Sequence, residues 1–573
     1  MRFKSSKKDG YQVFAVTGIN TVSFAVVADA AARKGLLGFA IERVDPSENQ
    51  RYYMPGFKIF KSVIPHPQPH QQVSTYDHPV QSFSWDDFTA KPDRQYEYIF
   101  HPLKGTPKNL DRSASPVSIQ IQTEPLYSDQ EHDVFFNRGV ASSQAYQRRF
   151  GNLPPNKLPP AEAKDALKWL MRDLHEAFIK FVENAKRGDT LLGCFYEFRY
   201  EPACRALRDA IERGVDVRII IDAKNNGRDG QESFPRDENL AMVKALRFPK
   251  GTIIKREENP SSIQHNKYLV LLKGPSGKPV EVWTGSTNLS LGGFSGQTNV
   301  GHWVRNEEVA QEYHEHWKAL SKDPVNADLR VEIGTLSPAP KDKTAINEGA
   351  TAVFSPRKGD TLLKFYTALT NSSEKCSCIT LAFGIAAPFK DLLKDNTEHS
   401  SIIFMLLEKK DVPNKRSKTP FIAINASNNV YKAWGSYIED PVYQWAKETN
   451  AGLMKLNTHV SYIHSKFLLI DPLGADPIII TGSANFSKPS VTDNDENMLF
   501  IRGDKRVADI YFTEFNRLFN HYYFRSVFEA TQEAGRSDDS ELFLSETAPE
   551  WQKKYAPDQL RTKRLKLYEG MSI

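Results

Sequence analysis

The alternation of hydrophobic and polar positions changes character after roughly the first fifth of the chain. Residues 11 to about 125 contain short alternating runs such as "QVFAVTG", "TVSFAVVAD" and "GLLGFAIERV", with breaks such as "PHPQPHQQ" further on. Short alternating runs between turn-rich breaks are typical of antiparallel sheets. The pattern predicts an all-β, sandwich-like domain over residues 1–128. We interpret His66 and His70 as residues of a solvated proline-rich turn.

Beyond the link "GNLPPNKLPP" the pattern predicts α/β units. A long helical pattern, "AEAKDALKWLMRDLHEAFIKFVENAKRGD", precedes a strand "TLLGCFYEF", a helix "PACRALRDAIERG" and a strand "VDVRIIIDA". After a second link, "LSPAPKDKT", the order recurs as "GDTLLKFYTALTN", "CSCITLAFG", "PFKDLLKD" and "SSIIFMLLE". Strands that alternate with helices favour α/β units with mostly parallel sheets. The recurrence predicts two repeats, 129–338 and 339–527, followed by a polar tail, 528–573, with one or two short helices.

Each repeat ends in an apolar hairpin with the same short motif. The hairpins read "SIQHNKYLVLLKGPSGKPVEVWTGSTNLS" and "SYIHSKFLLIDPLGADPIIITGSANFS". Both contain His-x-Lys, an apolar run, a turn, a second apolar run and Thr-Gly-Ser-x-Asn. Because residues i and i+2 share a face of a strand, His265 lies beside Lys267, and His464 beside Lys466. An imidazole beside an ammonium group suits a phosphate, since one reacts and the other holds negative charge.

The end of each hairpin adds hydrogen-bond donors for phosphate oxygens. They are Ser286 and Asn288 in the first repeat and Ser483 and Asn485 in the second, each pair following a glycine that permits close backbone approach. A lone His-x-Lys occurs by chance, and a lone Gly-Ser-x-Asn is commonly a turn. Both motifs in one order, twice in one chain, predict phosphate chemistry.

These residues resemble the phospholipase D superfamily, whose mark is His-x-Lys followed by Asp and then Gly-Ser-x-Asn, usually twice per active site. The resemblance covers residues from about 130 to 527. It implies that the repeats pack about a pseudo-two-fold axis and share one cleft. It also implies a hydrolase in which one histidine attacks phosphorus to form a phosphohistidine and the other protonates the leaving oxygen. Lys267, Lys466, Asn288 and Asn485 would hold the non-bridging oxygens, and no metal or other cofactor is required.

The aspartate of the family motif is present only in the second repeat. Asp471 follows the apolar run there, and Leu272 stands at the matching place in the first repeat. Asp471 lies on the opposite parity from His464 and Lys466, at the start of "DPLG", which is good turn chemistry. We therefore interpret Asp471 as a supporting, structural residue. The turn "KGPSGKP" can close without it.

A second departure concerns the acid that usually follows Gly-Ser-x-Asn. "NDENMLF" supplies Glu496 shortly after Asn494, whereas "TNVGHWV" has Asn299 and, by our count, Gly301 where the acid should be. The resemblance implies that this acid crosses over to the histidine of the other repeat.

Carried over, Glu496 would orient His265, the expected nucleophile, and His464 would act as the acid without a carboxylate. We interpret His302, beside the gap, as a strand residue. An alternative is that the first repeat is degenerate and that the enzyme is slow or inactive.

Composition narrows the class of protein without identifying the substrate. The chain has 573 residues, 40% hydrophobic and 25% charged, with a formal charge of +5, which permits a phosphate-rich partner without demanding one. Four cysteines do not form a disulfide framework, and Cys376 and Cys378 are interpreted as buried thiols. The start "MRFKSSKKDGYQ" lacks the apolar core of a secretory signal, and no apolar run approaches the ~20 residues of a spanning helix. We therefore predict a cytoplasmic protein without an integral membrane segment.

The substrate and the role of the N-terminal domain stay open. A nuclease acting on DNA or RNA fits, with the basic loop "EKKDVPNKRSK" near the cleft. A phospholipase also fits, if apolar loops such as "LGGF" rim the site. A third hypothesis is a phosphate-binding module without catalysis, which the N-terminal domain recruits to a protein partner. That domain could equally form a dimer contact.

Overall fold

The computed structural model describes the chain apart from residues 68–70, 140–143, 152, 228–231, 259–261, 396–400, 414–419, 436–461 and 534–542. The chain forms two compact units. The first comprises Met1–Leu126, Pro472–Pro477 and Lys505–Ile573, and the second comprises Tyr127–Asp471 and Ile478–Asp504. The four-segment division expected from the sequence stays a prediction.

The first unit contains two antiparallel sheets that pack face to face. Their order is β1-β2-β3-β9 in a four-stranded sheet and β11-β10-β4-β5 in a five-stranded one, with β12 beside β10. The strands of this region are β1 (Arg2–Lys4), β2 (Tyr11–Thr17), β3 (Val22–Ala28), β4 (Gly38–Asp45), β5 (Gln50–Tyr53), β6 (Pro55–Gly56), β7 (Ile59–Phe60), β8 (Val73–Ser74), β9 (Ser84–Asp87), β10 (Gln95–Thr106), β11 (Asn109–Asp111) and β12 (Val117–Gln122). The ring of Phe24 on β3 lies 4.6 Å from that of Tyr98 and 5.4 Å from that of Phe100, both on β10. The all-β, sandwich-like prediction is confirmed.

The C-terminal segment also belongs to the first unit. Its helices are Lys505–Glu533, Ala548–Gln552 and Leu560–Glu569. The predicted short helices are therefore present, and the first helix of the three extends beyond the expected end near 527. Trp551 is buried, and its Nε1 donates to the Leu36 carbonyl at 2.9 Å.

The first repeat of the second unit forms a seven-stranded sheet in the order β13-β19-β18-β17-β14-β15-β16. Its strands are β13 (His132–Phe136), β14 (Thr190–Phe195), β15 (Asp216–Asp222), β16 (Ile253–Arg256), β17 (Lys267–Lys273), β18 (Lys278–Gly285) and β19 (Val300–Val304). Its helices are Gln144–Phe150, Pro160–Met171, Leu174–Asn184, Glu201–Glu212, Arg236–Ala245, Glu307–Ser321 and Asn326–Leu336.

The second repeat forms a second seven-stranded sheet of the same order, β20-β26-β25-β24-β21-β22-β23. Its strands are β20 (Gly349–Ser355), β21 (Cys376–Leu381), β22 (Ile402–Leu407), β23 (Val430–Trp434), β24 (Phe467–Ile470), β25 (Ile478–Gly482) and β26 (Glu496–Arg502), and its helices are Thr361–Asn371, Ala387–Leu393 and Lys488–Thr492. The first two of these helices pack their apolar faces on β21, β22 and β24 in one buried cluster. The matching order confirms the predicted duplication.

Two expectations about these repeats were wrong. The sheets are mixed, because only β14-β15-β16 and β21-β22-β23 are parallel. The remaining strands include tight hairpins such as β17-β18, which can only be antiparallel. The long helical pattern after residue 160 breaks at Arg172, which has φ 51° and donates through Nε to the Phe136 carbonyl at 2.9 Å.

Candidate active site

Backbone pairing between the two repeats brings the two motif histidines together. His265 precedes β17 and His464 precedes β24, and their ring centroids lie 6.5 Å apart. The His265 N–H donates to the Asp495 carbonyl at 2.9 Å, and the His464 N–H donates to the Thr298 carbonyl at 3.2 Å. Each histidine is thus tied to the other repeat, and the two motifs share one cleft as predicted.

Glu496 holds His265 from the other repeat. His265 Nδ1 lies 3.0 and 2.9 Å from the two carboxylate oxygens, and both side chains are buried. A carboxylate only accepts hydrogen bonds, so Nδ1 carries the proton and Nε2 keeps its lone pair. Ser483 Oγ donates to Glu496 Oε2 at 2.7 Å and fixes the carboxylate in turn.

Asn299 occupies the equivalent place beside His464. Its Oδ1 lies 2.9 Å from His464 Nδ1, and Ser286 Oγ donates to the same oxygen at 2.8 Å. The Asn299 amide nitrogen donates to the Gly293 carbonyl at 2.8 Å, which fixes the amide orientation. His464 Nδ1 therefore carries a proton, and its partner is a neutral amide instead of a carboxylate.

The count that put the missing acid at Gly301 was wrong by two residues. A Cβ at Gly301 would lie 2.2 Å from the Trp283 ring, so this position faces packed sheet and has no room for an acid. In that count Asn494 was the counterpart of Asn299 in the other repeat. Among the described residues, the Asn494 side chain does not contact a histidine in this way but accepts from the Ile263 N–H at 3.3 Å. His302 is a buried strand residue as expected, and its Nε2 lies 3.0 Å from His132 Nδ1.

The two serines support the partners of the histidines. Each hydroxyl has one hydrogen, which Ser286 donates to Asn299 and Ser483 donates to Glu496. Both serines thus position the partners of the histidines, and their expected contact with phosphate stays a prediction.

Both motif lysines are buried and bend back to their own histidines. Lys267 Nζ donates to the His265 carbonyl at 2.6 Å, and Lys466 Nζ donates to the His464 carbonyl. Burial lowers the pKa of Lys267 to about 8 against the attraction of nearby carboxylates. Burial and the charge of Lys267 lower the pKa of Lys466 well below its usual range. Two buried ammonium groups in one cleft favour an anionic ligand.

The imidazoles are also shifted. Burial lowers the pKa of His265 to about 4, although Glu496 opposes the shift. Burial together with the charges of Lys466 and Lys267 lowers the pKa of His464 well below its usual range. The carboxylate therefore distinguishes the two histidines electrostatically as well as geometrically.

The motif asparagines differ in their surroundings. Asn288 Nδ2 donates to Glu197 Oε1 at 2.8 Å. Across the described residues the structure gives the Asn485 side chain no hydrogen bond, and Asn485 Oδ1 is buried without a partner. Glu197 belongs to neither motif, and the sequence analysis missed it.

Two further carboxylates position the backbone just before each histidine. Asp222 Oδ2 accepts from the Gln264 N–H at 2.9 Å, and Glu408 Oε2 accepts from the Ile463 N–H at 2.8 Å. Both acids stand at the end of an apolar strand, in "VDVRIIIDA" and "SSIIFMLLE". That shared position in the two repeats could have identified them from the sequence.

Asp471 lies at a junction of two strands, away from the histidine pair. Its carboxylate accepts from the N–H groups of Glu374, Lys375 and Cys376 at 2.9, 2.7 and 3.1 Å. At the equivalent junction of the first repeat, Asp189 accepts from the Gly274 N–H and from Lys273 Nζ, both at 2.9 Å. The carboxylate that Leu272 lacks is thus supplied from the neighbouring strand.

Several other expectations can be compared with the described part of the chain. None of the four cysteines forms a disulfide and all four are buried, which confirms the prediction of buried thiols for Cys376 and Cys378. Gly292, Gly293 and Phe294 of "LGGF" are buried, with the Phe294 ring 5.0 Å from that of Tyr200, and the role of this loop as a rim of the site stays a prediction. His66 is exposed, whereas His70 and residues 414–418 of the basic loop lie outside the described residues.

Neither a metal cluster nor a membrane helix is found where the structure describes the chain. No group of three His, Cys, Asp or Glu side chains is placed to hold a metal ion. Among those same residues, no helix has both the length and the apolar character needed to cross a bilayer.

The fold and the paired motifs define a two-repeat protein of the phosphodiesterase type. The matching family is described as "Cardiolipin synthase, PLD-like domain", and it matches twice, over residues 178–321 and 366–519. These segments together span more than half of the chain, so the protein belongs to this family of the phospholipase D superfamily. No match was found among curated proteins.

Solved structures of low identity also match. Phosphatidylserine synthase from Haemophilus influenzae is 12% identical, over 70% of this chain and 94% of that one, with a TM-score of 0.40. Nuc from Salmonella typhimurium is 16% identical, over 30% of this chain and 95% of that one, with a TM-score of 0.21. Polyphosphate kinase from Porphyromonas gingivalis is 12% identical over 58% of this chain, with a TM-score of 0.35. The match spans only 46% of the kinase.

Proposed function

We propose that the protein is a phosphodiesterase that cleaves its substrate in two steps through a phosphohistidine on His265. The supporting observation is the pair of imidazoles, whose ring centroids lie 6.5 Å apart, each held at Nδ1, which leaves Nε2 as the reacting nitrogen. In the first step His265 Nε2 attacks phosphorus, the P–O bond to the leaving group breaks, and the leaving oxygen takes a proton from His464. In the second step His464 takes a proton from water, the water oxygen attacks phosphorus, and the P–N bond breaks.

The different partners of the histidines support different roles. A phosphorylated imidazole is positively charged, and Glu496 stabilises that charge on His265. His464 must be protonated when it acts as the acid, yet Asn299 offers it no charge. A bound phosphodiester supplies the missing negative charge and raises the pKa of His464 when it is needed. Lys267 and Lys466 stabilise the non-bridging oxygens.

The dependence on the leaving group tests this assignment. With bis(p-nitrophenyl) phosphate, whose leaving group needs no proton, His464→Ala should retain far more activity than it does with an alkyl phosphodiester. His265→Ala should lose activity on both. Acid-free quenching of His464→Ala should trap phosphate on His265. If neither alanine variant reduced turnover, the proposal would be wrong.

A weakly active phosphate-binding module is the second candidate. The neutral Asn299 beside His464 favours it, since a second carboxylate would assist protonation of that histidine. The N-terminal domain would then recruit the module to a protein partner. Absence of any trapped phosphohistidine, together with retained binding of inorganic phosphate, would support this candidate.

The substrate is proposed as a nucleic-acid or a phospholipid phosphodiester. Incubation of the protein with labelled DNA and RNA and with phosphatidylcholine vesicles distinguishes the two classes. The cytoplasmic location and the dimer contact through the N-terminal domain stay predictions.

A further inference from the structure

Glu197 contacts the active site without belonging to either motif. We infer that Glu197 is a positioning residue, which holds the amide of Asn288 so that one of its N–H groups faces the bound phosphate. The inference rests on the proposed phosphodiesterase function and adds a residue to that site.

Glu197 is placed between a motif residue and a guanidinium group. It lies two residues after β14 and is 2% exposed. Its Oε1 accepts from Asn288 Nδ2 at 2.8 Å. Its Oε2 accepts from Arg199 Nε at 2.7 Å and lies 2.6 Å from Arg199 Nη2. Such a doubly bound carboxylate has little freedom to turn.

The contact with Glu197 determines which end of the Asn288 amide faces the cleft. An ionised carboxylate only accepts, so the amide nitrogen must point to Glu197. Across the described residues, Asn288 Oδ1 is buried without a hydrogen-bond partner, so no other contact of the side chain fixes the amide. Nδ2 carries a second hydrogen, which is left for a non-bridging phosphate oxygen. Without Glu197 the amide could rotate and present its oxygen to the phosphate, which would repel it.

The charge of Glu197 is compatible with an anionic substrate. Arg199 neutralises the carboxylate locally, so the pair polarises the Asn288 amide without a net negative charge. Burial lowers the pKa values of Lys267 and Lys466, and the attraction of Glu197 opposes that lowering for both lysines. Glu197 thus also favours the charged form of the groups that bind phosphate.

At the position equivalent to Glu197 the second repeat has a phenylalanine. Phe195 and Leu381 end the equivalent strands β14 and β21, and two residues further stand Glu197 and Phe383. Phe383 is 57% exposed. The carboxylate is therefore specific to the repeat that contributes His265, and the shared motif alone does not account for it.

Steady-state kinetics with bis(p-nitrophenyl) phosphate test the inference. Asn288→Ala should lower kcat by about 10²-fold or more, the usual effect of removing an oxyanion donor. Glu197→Ala should lower it by a similar factor, and the double variant should be no slower than Asn288→Ala alone. Glu197→Gln retains an acceptor of the same shape and should lose roughly ten-fold. The control is Glu238→Gln, because Glu238 lies 3.6 Å from the same Arg199 and should leave kcat unchanged.

A pH series separates positioning of the site from simple support of the fold. The two ammonium groups face each other, and the titratable groups around them are Glu496, Glu197, Glu408, Cys194, Tyr196, His265 and His464. Removing one carboxylate from this set lowers the lysine pKa values. As the pH rises, the lysines lose their charge and inhibition by tungstate, a phosphate analogue, should weaken. This loss should begin at a lower pH in Glu197→Gln than in the parent, and Glu238→Gln should match the parent.

Each outcome bears on one proposal. If His265→Ala stays active, the proposed function is wrong. If His265→Ala is inactive while Glu197→Ala keeps kcat within about two-fold, or the double variant shows additive losses, the function stands and the role of Glu197 is wrong. An unshifted tungstate series in Glu197→Gln would overturn the inference by a route that does not depend on the alanine variant folding.

Discussion

Glu496 and Asn299 occupy equivalent positions in the two repeats, and each contacts the histidine of the other repeat. Gly482 to Glu496 and Gly285 to Asn299 are the same number of residues, and each side chain accepts from the serine that follows its glycine. The distances to the histidine Nδ1 atoms are 2.9 Å in both cases. One repeat therefore offers a carboxylate and the other a neutral amide in the same geometry.

Asn299→Asp should make the two histidine environments alike. A carboxylate beside His464 opposes the positive charges of Lys466 and Lys267, so the pKa of His464 should rise. Its acid form then persists to higher pH. NMR titration of selectively labelled histidine, with His464→Asn to identify the signal, should show His464 titrating at higher pH than in the parent.

Asn299→Ser is the control for this change, since it removes the amide without adding charge. It should leave His464 titrating no higher than in the parent. An unchanged His464 titration in Asn299→Asp would contradict the electrostatic distinction between the two histidines.

The order of helices and strands along the chain was predicted from local periodicity, and the shared cleft was implied by the family resemblance that rests on a motif present twice. The sequence did not reveal the position equivalent to Glu496, because that position depends on pairing between the repeats. Thr298 pairs with Ile463, and Asp495 pairs with Gln264, so each pairing joins residues that are far apart in the sequence. The local sequences "TNV" and "DNDEN" suggest that Asn299 corresponds to Asn494. The first repeat has no acid there that would have indicated the correct alignment with Glu496.

Contacts between distant parts of the chain explain the other missed residues. In the first repeat Asp189, just before β14, does what Asp471 does in the second, namely accept a backbone N–H where two strands meet. Glu197, just after β14, accepts from Asn288. Neither acid has a distinctive sequence neighbourhood. The break at Arg172 was hidden for the same reason, since its guanidinium contacts carbonyl groups on and just after β13, far earlier in the chain.

Chelators should not affect the proposed reaction. The two imidazoles supply the nucleophile and the acid, and the two ammonium groups stabilise the phosphate, so no step needs a metal ion. Activity in EDTA should equal that of the untreated protein, with a metal-dependent phosphodiesterase assayed in parallel as the control. Loss of activity in EDTA that a divalent cation restores would contradict this expectation.

Asp471→Ala should destabilise the fold without impairing the chemistry of the folded enzyme. The change removes the acceptor of three backbone N–H groups, which should lower the free energy of unfolding by about 2–3 kcal/mol. Asp471→Asn should lose less, because asparagine retains an acceptor and tolerates the φ of 45° at this position. Urea unfolding measures both changes.

Leu272→Asp is the informative counterpart, because it restores the family residue in the first repeat. Leu272 is 5% exposed, and Asp189 already holds that junction. The added carboxylate should therefore destabilise the protein and leave kcat no higher. A gain in kcat would show that the missing aspartate does limit the first repeat.

Arg256 and Asp495 join the two repeats, and Asp495 directly precedes the active-site residue Glu496. Arg256 Nε lies 2.9 Å from Asp495 Oδ2, and the side chains are 1% and 0% exposed. Arg256→Met should lower the free energy of unfolding by about 3–5 kcal/mol, because it leaves an unpaired buried carboxylate. Asp495 precedes Glu496, so the variant should also lower kcat by loosening the support of His265.

A surface pair and a double variant show whether burial is the cause of that loss. Lys322→Met breaks a pair with Glu332 whose side chains are 65% and 42% exposed, and it should cost at most about 1 kcal/mol. The double variant Arg256→Met/Asp495→Leu removes both fully buried charges. It leaves only the more exposed Asp323 without its Arg256 partner, so it should recover much of the stability lost by Arg256→Met. Equal losses for Arg256→Met and Lys322→Met in urea unfolding would mean that the buried pair does not hold the repeats together. A double variant no more stable than Arg256→Met would mean that the unpaired charge is not what destabilises it.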